Sequence, residues 1–286
     1  VALSRAFMPE RRAHLNAVVA ACLALTVAGV AACGSQRVSL QPAPTVSSSS
    51  MVALGDSVPS GYGCACAGYV QSLANRITAA TGREVLVHND AQPGATSTDV
   101  ADAVRDDLVS SDLAASDLVL IQVGANDLDT TAIMECGTAG AACYQPALQT
   151  LHSNLRRIIA AAEAGVHHPV VALIGYWNIT VDGAVAAARG SAFTTASEQA
   201  TDYVNQVIND VAKETAAIYV DTQIPLKGPT NGRDPTGDLQ NDGDHPNASG
   251  NEIIADAAFR ALQAAGGSCP ANHSNSPSIL DPHDKC

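Results

Sequence analysis

Aromatic residues make up only 3% of the 286-residue chain, with one Trp, six Tyr and three Phe. A chain so poor in flat side chains offers no obvious stacking platform for a long polysaccharide. Basic residues are scarce as well: 15 Lys and Arg stand against 28 Asp and Glu, a net charge of -13. Such a surface repels a phosphate backbone instead of releasing its counterions, which excludes nucleic acid as an expected partner. Metal-binding patterns are also missing. Cys64-Ala-Cys66 has the wrong spacing for a zinc knuckle. Asp238, Gln240, Asp242 and Gly243 approach the start of a calcium loop, but Gln240 is neutral and Ser249 stands where the bidentate glutamate belongs. His88, His152, His167 and His168 lie in or beside expected helices and strands and read as structural or solvated. No metal or other cofactor is expected.

What is present begins with one long uncharged stretch, Leu15 to Ala32, preceded by Arg11 and Arg12 and ending in Val30-Ala31-Ala32-Cys33. That order predicts an export signal, and small residues before a cysteine resemble a bacterial lipobox. Residues 1–33 therefore read as a signal peptide with Cys33 the lipidated first residue of the mature chain, which mass spectrometry of the mature N-terminus would read directly. The alternatives are an ordinary signal peptide, giving a freely secreted protein, or a single membrane anchor, because the stretch only just reaches spanning length. Met8 is an alternative start. Removing residues 1–32 takes away three arginines and one glutamate (Arg5, Arg11, Arg12, Glu10), which lowers -13 to -15. Residues 34–50, rich in Ser and Pro, read as a linker that holds the rest off the membrane. The expected location is the outer face of the cell membrane, or the medium.

With 47% apolar residues, the remainder can build one generous core. It is expected to act as a monomer. Past the signal and Cys33 remain Cys64, Cys66, Cys136, Cys143, Cys269 and Cys286, an even set that suits disulfides in an exported chain. Six cysteines allow 15 connectivities. Cys136 and Cys143, which bracket the short loop CGTAGAAC, form the first expected pair, and residues 267–286 are expected to be a tail held by another.

From Ser50 onward, short apolar runs alternate with stretches of helical spacing. Five runs read as strands: MVALGD, EVLVHN, DLVLIQVG, PVVALIGYW and AIYVDT. Helices are expected near Tyr69 to Thr81, Thr98 to Ala114, Pro146 to Ala164, Ala196 to Thr215 and Ala248 to Ala265. A long Gly/Ala-rich loop follows the third strand, and a second loop covers Asn178 to Ser191. Runs such as VVALIG are apolar on both faces, which suits a parallel sheet covered by helices on each side. In an open sheet of this kind, ligands gather beyond the carboxyl ends of the strands.

Four strand ends carry polar chemistry. Strand one ends at Asp56-Ser57, the loop after strand two holds Gly94, strand three ends in Gly124-Ala125-Asn126-Asp127, and the loop before the last helix holds Asp242 and His245. Together they supply what acyl transfer requires: a hydroxyl nucleophile, an imidazole to take its proton, a carboxylate to orient the imidazole, and amide donors for an oxyanion. The three-residue step from Asp242 to His245 lets the carboxylate turn back onto Nδ1, leaving Nε2 for Ser57. Asp56 and Asp127, beside these residues, are candidates to hold their neighbours in place or simply to satisfy loop amides. Tyr62, Tyr176, Trp177 and Asn178 are candidate substrate contacts.

These blocks, GDS at 55–57, a glycine in the loop after strand two, GxND at 124–127 and DxxHPN at 242–247, resemble in order those of the SGNH hydrolases, the GDSL esterase and lipase superfamily. The resemblance spans Met51 to about Ala265. It implies a three-layer α/β/α sandwich, flavodoxin-like, with a five-stranded parallel sheet, over a catalytic domain at 51–266. It also implies Ser57 as nucleophile and oxyanion donor, Gly94 and Asn126 as further donors, and Asp242 with His245 completing the triad. Val58 departs from the leucine that usually follows the first block, and the GxSxG elbow of the α/β-hydrolases is absent. The implied activity is hydrolysis of short- to medium-chain carboxylic esters, of small-molecule or lipid origin, through an acyl-enzyme. The alternatives are deacetylation of cell-envelope or plant-wall sugars and a non-catalytic surface-binding lipoprotein.

Overall fold

The run SSMVALG owes its position to having no polar face. Met51 to Leu54 are at most 1% exposed, and the run forms β1 (Ser49–Gly55) near the middle of the sheet. In the computed structural model, which describes residues 49–266, the chain continues through α1 (Ser57–Ser60), α2 (Tyr69–Thr81), β2 (Val85–Asn89), α3 (Ser97–Ala103), α4 (Asp107–Ala114) and β3 (Leu118–Gln122). Then come α5 (Thr130–Cys136), α6 (Gln145–Glu163), β4 (Val170–Ile174), α7 (Gly183–Arg189), α8 (Ser191–Thr215), β5 (Ile218–Val220), α9 (Gln223–Lys227) and α10 (Ala248–Gly266).

The five strands run parallel in the order β2-β1-β3-β4-β5. β3 is buried along its whole length, whereas β2, at the edge, exposes most of its residues. The crossover from β1 to β2 moves one way along the sheet and every later one moves the other way. Right-handed crossovers then put α2 on one face and α3, α4, α6 and α8 on the opposite face. The packing agrees: α10 rests on α2, while α6 rests on α3, α4 and α8. The result is the expected three-layer α/β/α sandwich. Reversal of direction at β1 makes the gap between β1 and β3 a topological switch point, where the loops after two adjacent strands part and leave a crevice. Ser57 follows β1, and Asn126 follows β3.

Several expected boundaries move. β1 starts at Ser49, two residues inside the stretch assigned to the linker, because the Ser49 N–H donates to the Glu84 carbonyl and the Ser50 N–H to the Asp117 carboxylate. The single helix expected over Thr98 to Ala114 is two, broken at the polar run Arg105-Asp106-Asp107, where no apolar side chain holds the backbone against the core. The loop after β3 contains α5, capped by Asp129, and the loop at Asn178 to Ser191 contains α7, capped by Asp182. α8 begins at Ser191, five residues before the expected start, so that Phe193 joins the buried face. No helix among the described residues is long and apolar enough to cross a membrane. The signal segment, Cys33, most of the linker, Cys269, Cys286 and the tail disulfide lie outside the described residues.

Candidate active site

At the end of β1 the backbone passes so close to β3 that a Cβ on Gly55 would lie 1.9 Å from the Gln122 carbonyl oxygen, at a φ of +144°. Only glycine fits there. The next residue, Asp56, is fully buried and caps α1: its carboxylate accepts the Val58 N–H at 3.0 Å and the Tyr176 hydroxyl at 2.5 Å. Burial pushes the Asp56 carboxyl up to about 7, although the Tyr176 and Val58 hydrogen bonds pull it down. The folded chain thus keeps a proton that the unfolded chain loses near 3.8, so folding stability falls as pH rises between those values and levels off above about 7. Asp56→Asn removes this dependence. Urea unfolding at pH 5 and pH 8 should show wild type losing about 2–3 kcal/mol more than the variant over that interval.

Ser57 is the first residue of α1, so its own N–H has no partner within the helix. Its carbonyl accepts the Tyr62 N–H at 3.1 Å and the Ser60 hydroxyl at 2.8 Å, which folds the following loop back over α1.

The loop after β2 turns at Pro93-Gly94. The Ala95 N–H closes onto the Gln92 carbonyl at 3.1 Å, with proline at the first corner and Gly94 at φ +81° at the second, as a type II turn requires. The Gln92 N–H donates to the Gly55 carbonyl at 2.9 Å, tying this turn to the end of β1. Asn126 lies in the 3-10 turn Ala125–Asp127 after β3, and its Nδ2 donates to the Ala95 carbonyl at 3.0 Å. Asp127 accepts both the backbone N–H and the hydroxyl of Ser97. Burial raises the Asp127 carboxyl against the pull of those two bonds. Asp56 and Asp127 each accept a backbone N–H at the start of a helix, Val58 in α1 and Ser97 in α3, and each also accepts a side-chain hydroxyl, from Tyr176 and Ser97. Loops from three adjacent strands, β2, β1 and β3, thereby bring Gly94, Ser57 and Asn126 to one stretch of rim.

Asp242 and His245 reach that rim from the far edge of the sheet, on the long connection after β5. The Gln240 N–H donates to the His245 carbonyl at 2.8 Å and the Gly243 N–H to the Gln240 carbonyl at 3.0 Å, closing a tight turn around the pair. Asp242 Oδ2 lies 2.8 Å from His245 Nδ1, while its Oδ1 accepts the backbone N–H groups of Asp244 and His245 at 3.0 and 3.1 Å. Burial alone would raise the Asp242 carboxyl, but these bonds outweigh it and hold it below the usual carboxylate range. Asp242 is thus an anion that holds the imidazole by Nδ1. Asn251, on α10, fixes the loop by accepting the Tyr69 N–H at 2.8 Å and donating to the Pro246 carbonyl at 3.1 Å.

Tyr62 joins the two halves. Its N–H is bonded to Ser57, its carbonyl accepts from Gln240 Nε2 at 3.0 Å, and its ring centroid lies 5.0 Å from that of His245. Ser57 and His245 make no direct hydrogen bond; contacts of this kind commonly close only when substrate arrives. Tyr62 is 54% exposed beside the imidazole, as a substrate contact must be.

The other three expected contacts are corrected. Tyr176, Trp177 and Asn178 are at most 2% exposed, because the long α8 covers the end of β4. Asn205 clamps the Tyr176 backbone at both N–H and C=O, and Ser197 donates to the Asn178 side chain at 2.6 Å. Tyr176 instead supports Asp56 from behind. Cys136 pairs with Cys143 as expected, and Cys64 pairs with Cys66, a pairing the spacing left open. Both disulfides sit in loops that follow a candidate site residue.

Comparison with known proteins bears on this arrangement. The model of the GDSL-like Lipase/Acylhydrolase family matches residues 53–253. No curated protein matches the chain. Among solved structures, a lipase from a goat rumen metagenome is similar at 16% identity with a TM-score of 0.61, covering 75% of this chain and 97% of its own. An acetylxylan esterase from Geobacillus stearothermophilus is similar at 20% identity with a TM-score of 0.53, over 76% of this chain and 95% of its own. An alpha/beta hydrolase enzyme from the metagenome of Lake Arreo, Spain, gives 22% identity and a TM-score of 0.53, over 74% and 94%. At these identities the structural likeness speaks for the fold. The family match, which spans well over half of the chain, carries the assignment: the chain belongs to the GDSL-like lipase/acylhydrolase family and is a carboxylic ester hydrolase.

Proposed function

We propose that the protein hydrolyses short- to medium-chain carboxylic esters through an acyl-enzyme on Ser57. The observation that carries this reading is the Asp242–His245 pair at 2.8 Å, tied through Tyr62 to the loop that begins at Ser57. In the proposed reaction Ser57 Oγ attacks the ester carbonyl carbon while His245 Nε2 takes its proton. The negative charge that develops on the carbonyl oxygen meets the Ser57 and Gly94 backbone N–H groups and the Asn126 side-chain amide. The imidazolium, held by anionic Asp242, then protonates the departing alkoxide. A water molecule, deprotonated by the same imidazole, attacks the acyl-enzyme, and collapse of the second oxyanion releases the acid and restores the Ser57 hydroxyl.

The connections at Ala125 to Gln145 and Asn178 to Ser191 are rich in small residues and provide no extended run of large apolar side chains for a long acyl tail, which favours short- to medium-chain esters. The exposed Tyr62 ring is also a surface on which a sugar could rest, and this one feature favours the deacetylase reading. A series of p-nitrophenyl esters from acetate to palmitate, run beside acetylated xylo-oligosaccharides, separates the two. The expected order is fastest turnover on butyrate to octanoate and slow turnover on palmitate. Acetylated sugars turned over well above every simple ester would overturn it.

A further inference from the structure

Lys227 is 2% exposed, and its Nζ lies 2.9 Å from Asp182 Oδ2 and 2.9 Å from Glu198 Oε1. Burial works against its charge, but the two carboxylates outweigh that and keep the amine protonated. A buried ion pair of this kind contributes little net stability, since desolvation cancels most of the attraction. Its placement therefore calls for another explanation.

Asp182 supplies one. While its side chain holds Lys227 and accepts the Gly183 N–H at 2.8 Å, its backbone N–H donates to the Gly243 carbonyl at 2.7 Å, inside the turn between Asp242 and His245. Gly243 itself has a φ of +72°, and a Cβ there would lie 2.5 Å from the Val185 Cβ on α7. The triad-bearing turn is pressed flat against the start of α7, and the ion pair fixes where that start sits. Thr236 closes the same contact from the other side, accepting the Ala184 N–H at 2.8 Å. Lys227 comes from α9 and Glu198 from α8, so three separate elements converge behind one turn.

We infer that Lys227 and Asp182 are positioning residues, a buried ionic brace that holds the Asp242–His245 turn in the register that catalysis uses. This rests on the triad reading above. The brace touches neither substrate nor reacting atoms; the titratable groups that interact with His245 are Asp242 and Asp244 on its own loop and the buried Asp56 at the head of α1, while Arg189 on α7 bears on Asp244.

The test compares Asp182→Asn, Lys227→Met and the double variant with wild type, reading kcat and KM on p-nitrophenyl butyrate, the rate of fluorophosphonate labelling, and the melting temperature. A side-chain amide at position 182 keeps a carbonyl oxygen to cap α7, so the Asp182→Asn and double variants are expected to fold even if Lys227→Met, which strands two carboxylates, does not. The brace predicts roughly tenfold or greater loss of kcat in every folded variant, with KM changed less than about threefold and labelling slowed in parallel. The double variant, with fewer unpaired buried charges, should melt above Lys227→Met yet gain no kcat. A folded variant with wild-type kcat, or a kcat that recovers in step with melting temperature, overturns the inference. Ser57→Ala measured alongside keeps the two readings apart: activity in that variant defeats the triad itself, whereas its inactivity beside normal brace variants defeats only the brace.

Discussion

Replacing Ser57 with alanine is expected to lower ester turnover by roughly 10⁵-fold or more, to the level that binding and the remaining amide donors sustain without a nucleophile. The structure makes this a test of chemistry and not of folding. Among the described residues the Ser57 hydroxyl has no hydrogen bond of its own, because the bonds that hold α1 in place run through the Ser57 carbonyl, the Val58 N–H and Asp56. Melting temperature should therefore stay near that of wild type while activity disappears. A fluorophosphonate probe should label wild type once per chain at Ser57 and leave the variant unlabelled, an outcome that also separates an esterase from a surface-binding lipoprotein with a vestigial site. Comparable turnover by the two proteins would remove the acyl-enzyme from the mechanism.

The candidate site was legible because its parts sit in short local patterns at strand ends. GDS, GAND and DGDHPN each join a backbone constraint to a polar side chain, and both are visible within a few residues. The strand order was not read from the sequence; once the structure gives it as β2-β1-β3-β4-β5, the switch point between β1 and β3 follows from crossover hand, and Ser57 and Asn126 fall on its two sides. What could not be read depends on distant partners. Tyr176, Trp177 and Asn178 stand at a strand end like the candidate site residues, yet all three are buried, with Asn178 tied to Ser197 and the Tyr176 backbone to Asn205, about twenty to thirty residues later on α8. Lys227 lies in QIPLKG, where nothing marks it as buried; its environment is made by residues 29 and 45 positions earlier. The missed helices are a different case. Asp129 and Asp182 were visible as capping residues, but the small residues that follow them read equally well as loop until Ile133 and Ala186 find a core to enter.

Asn126→Ala is the second large effect, an expected fall in kcat of roughly 10²- to 10³-fold with a much smaller change in KM. One hydrogen of the Asn126 amide is committed to the Ala95 carbonyl, which fixes the plane of the group. The other remains for an oxyanion. A ground-state ester carbonyl draws weakly on such a donor and a tetrahedral oxyanion draws strongly, so the loss falls on the chemical step rather than on binding. Truncation also leaves the Ala95 carbonyl without its partner, but the Gly94 loop stays anchored by the Gln92 N–H to Gly55 and by Ser97 to Asp127. The fold should therefore tolerate the change, and Gly94 should keep its position. Asn126→Asp sharpens the test: it preserves shape while replacing a donor with a negative charge, so it should be at least as slow as the alanine variant. Wild-type kcat in a folded Asn126→Ala protein would mean that Ser57 and Gly94 hold the oxyanion without help from β3, and that Asn126 serves only to pin the Gly94 loop.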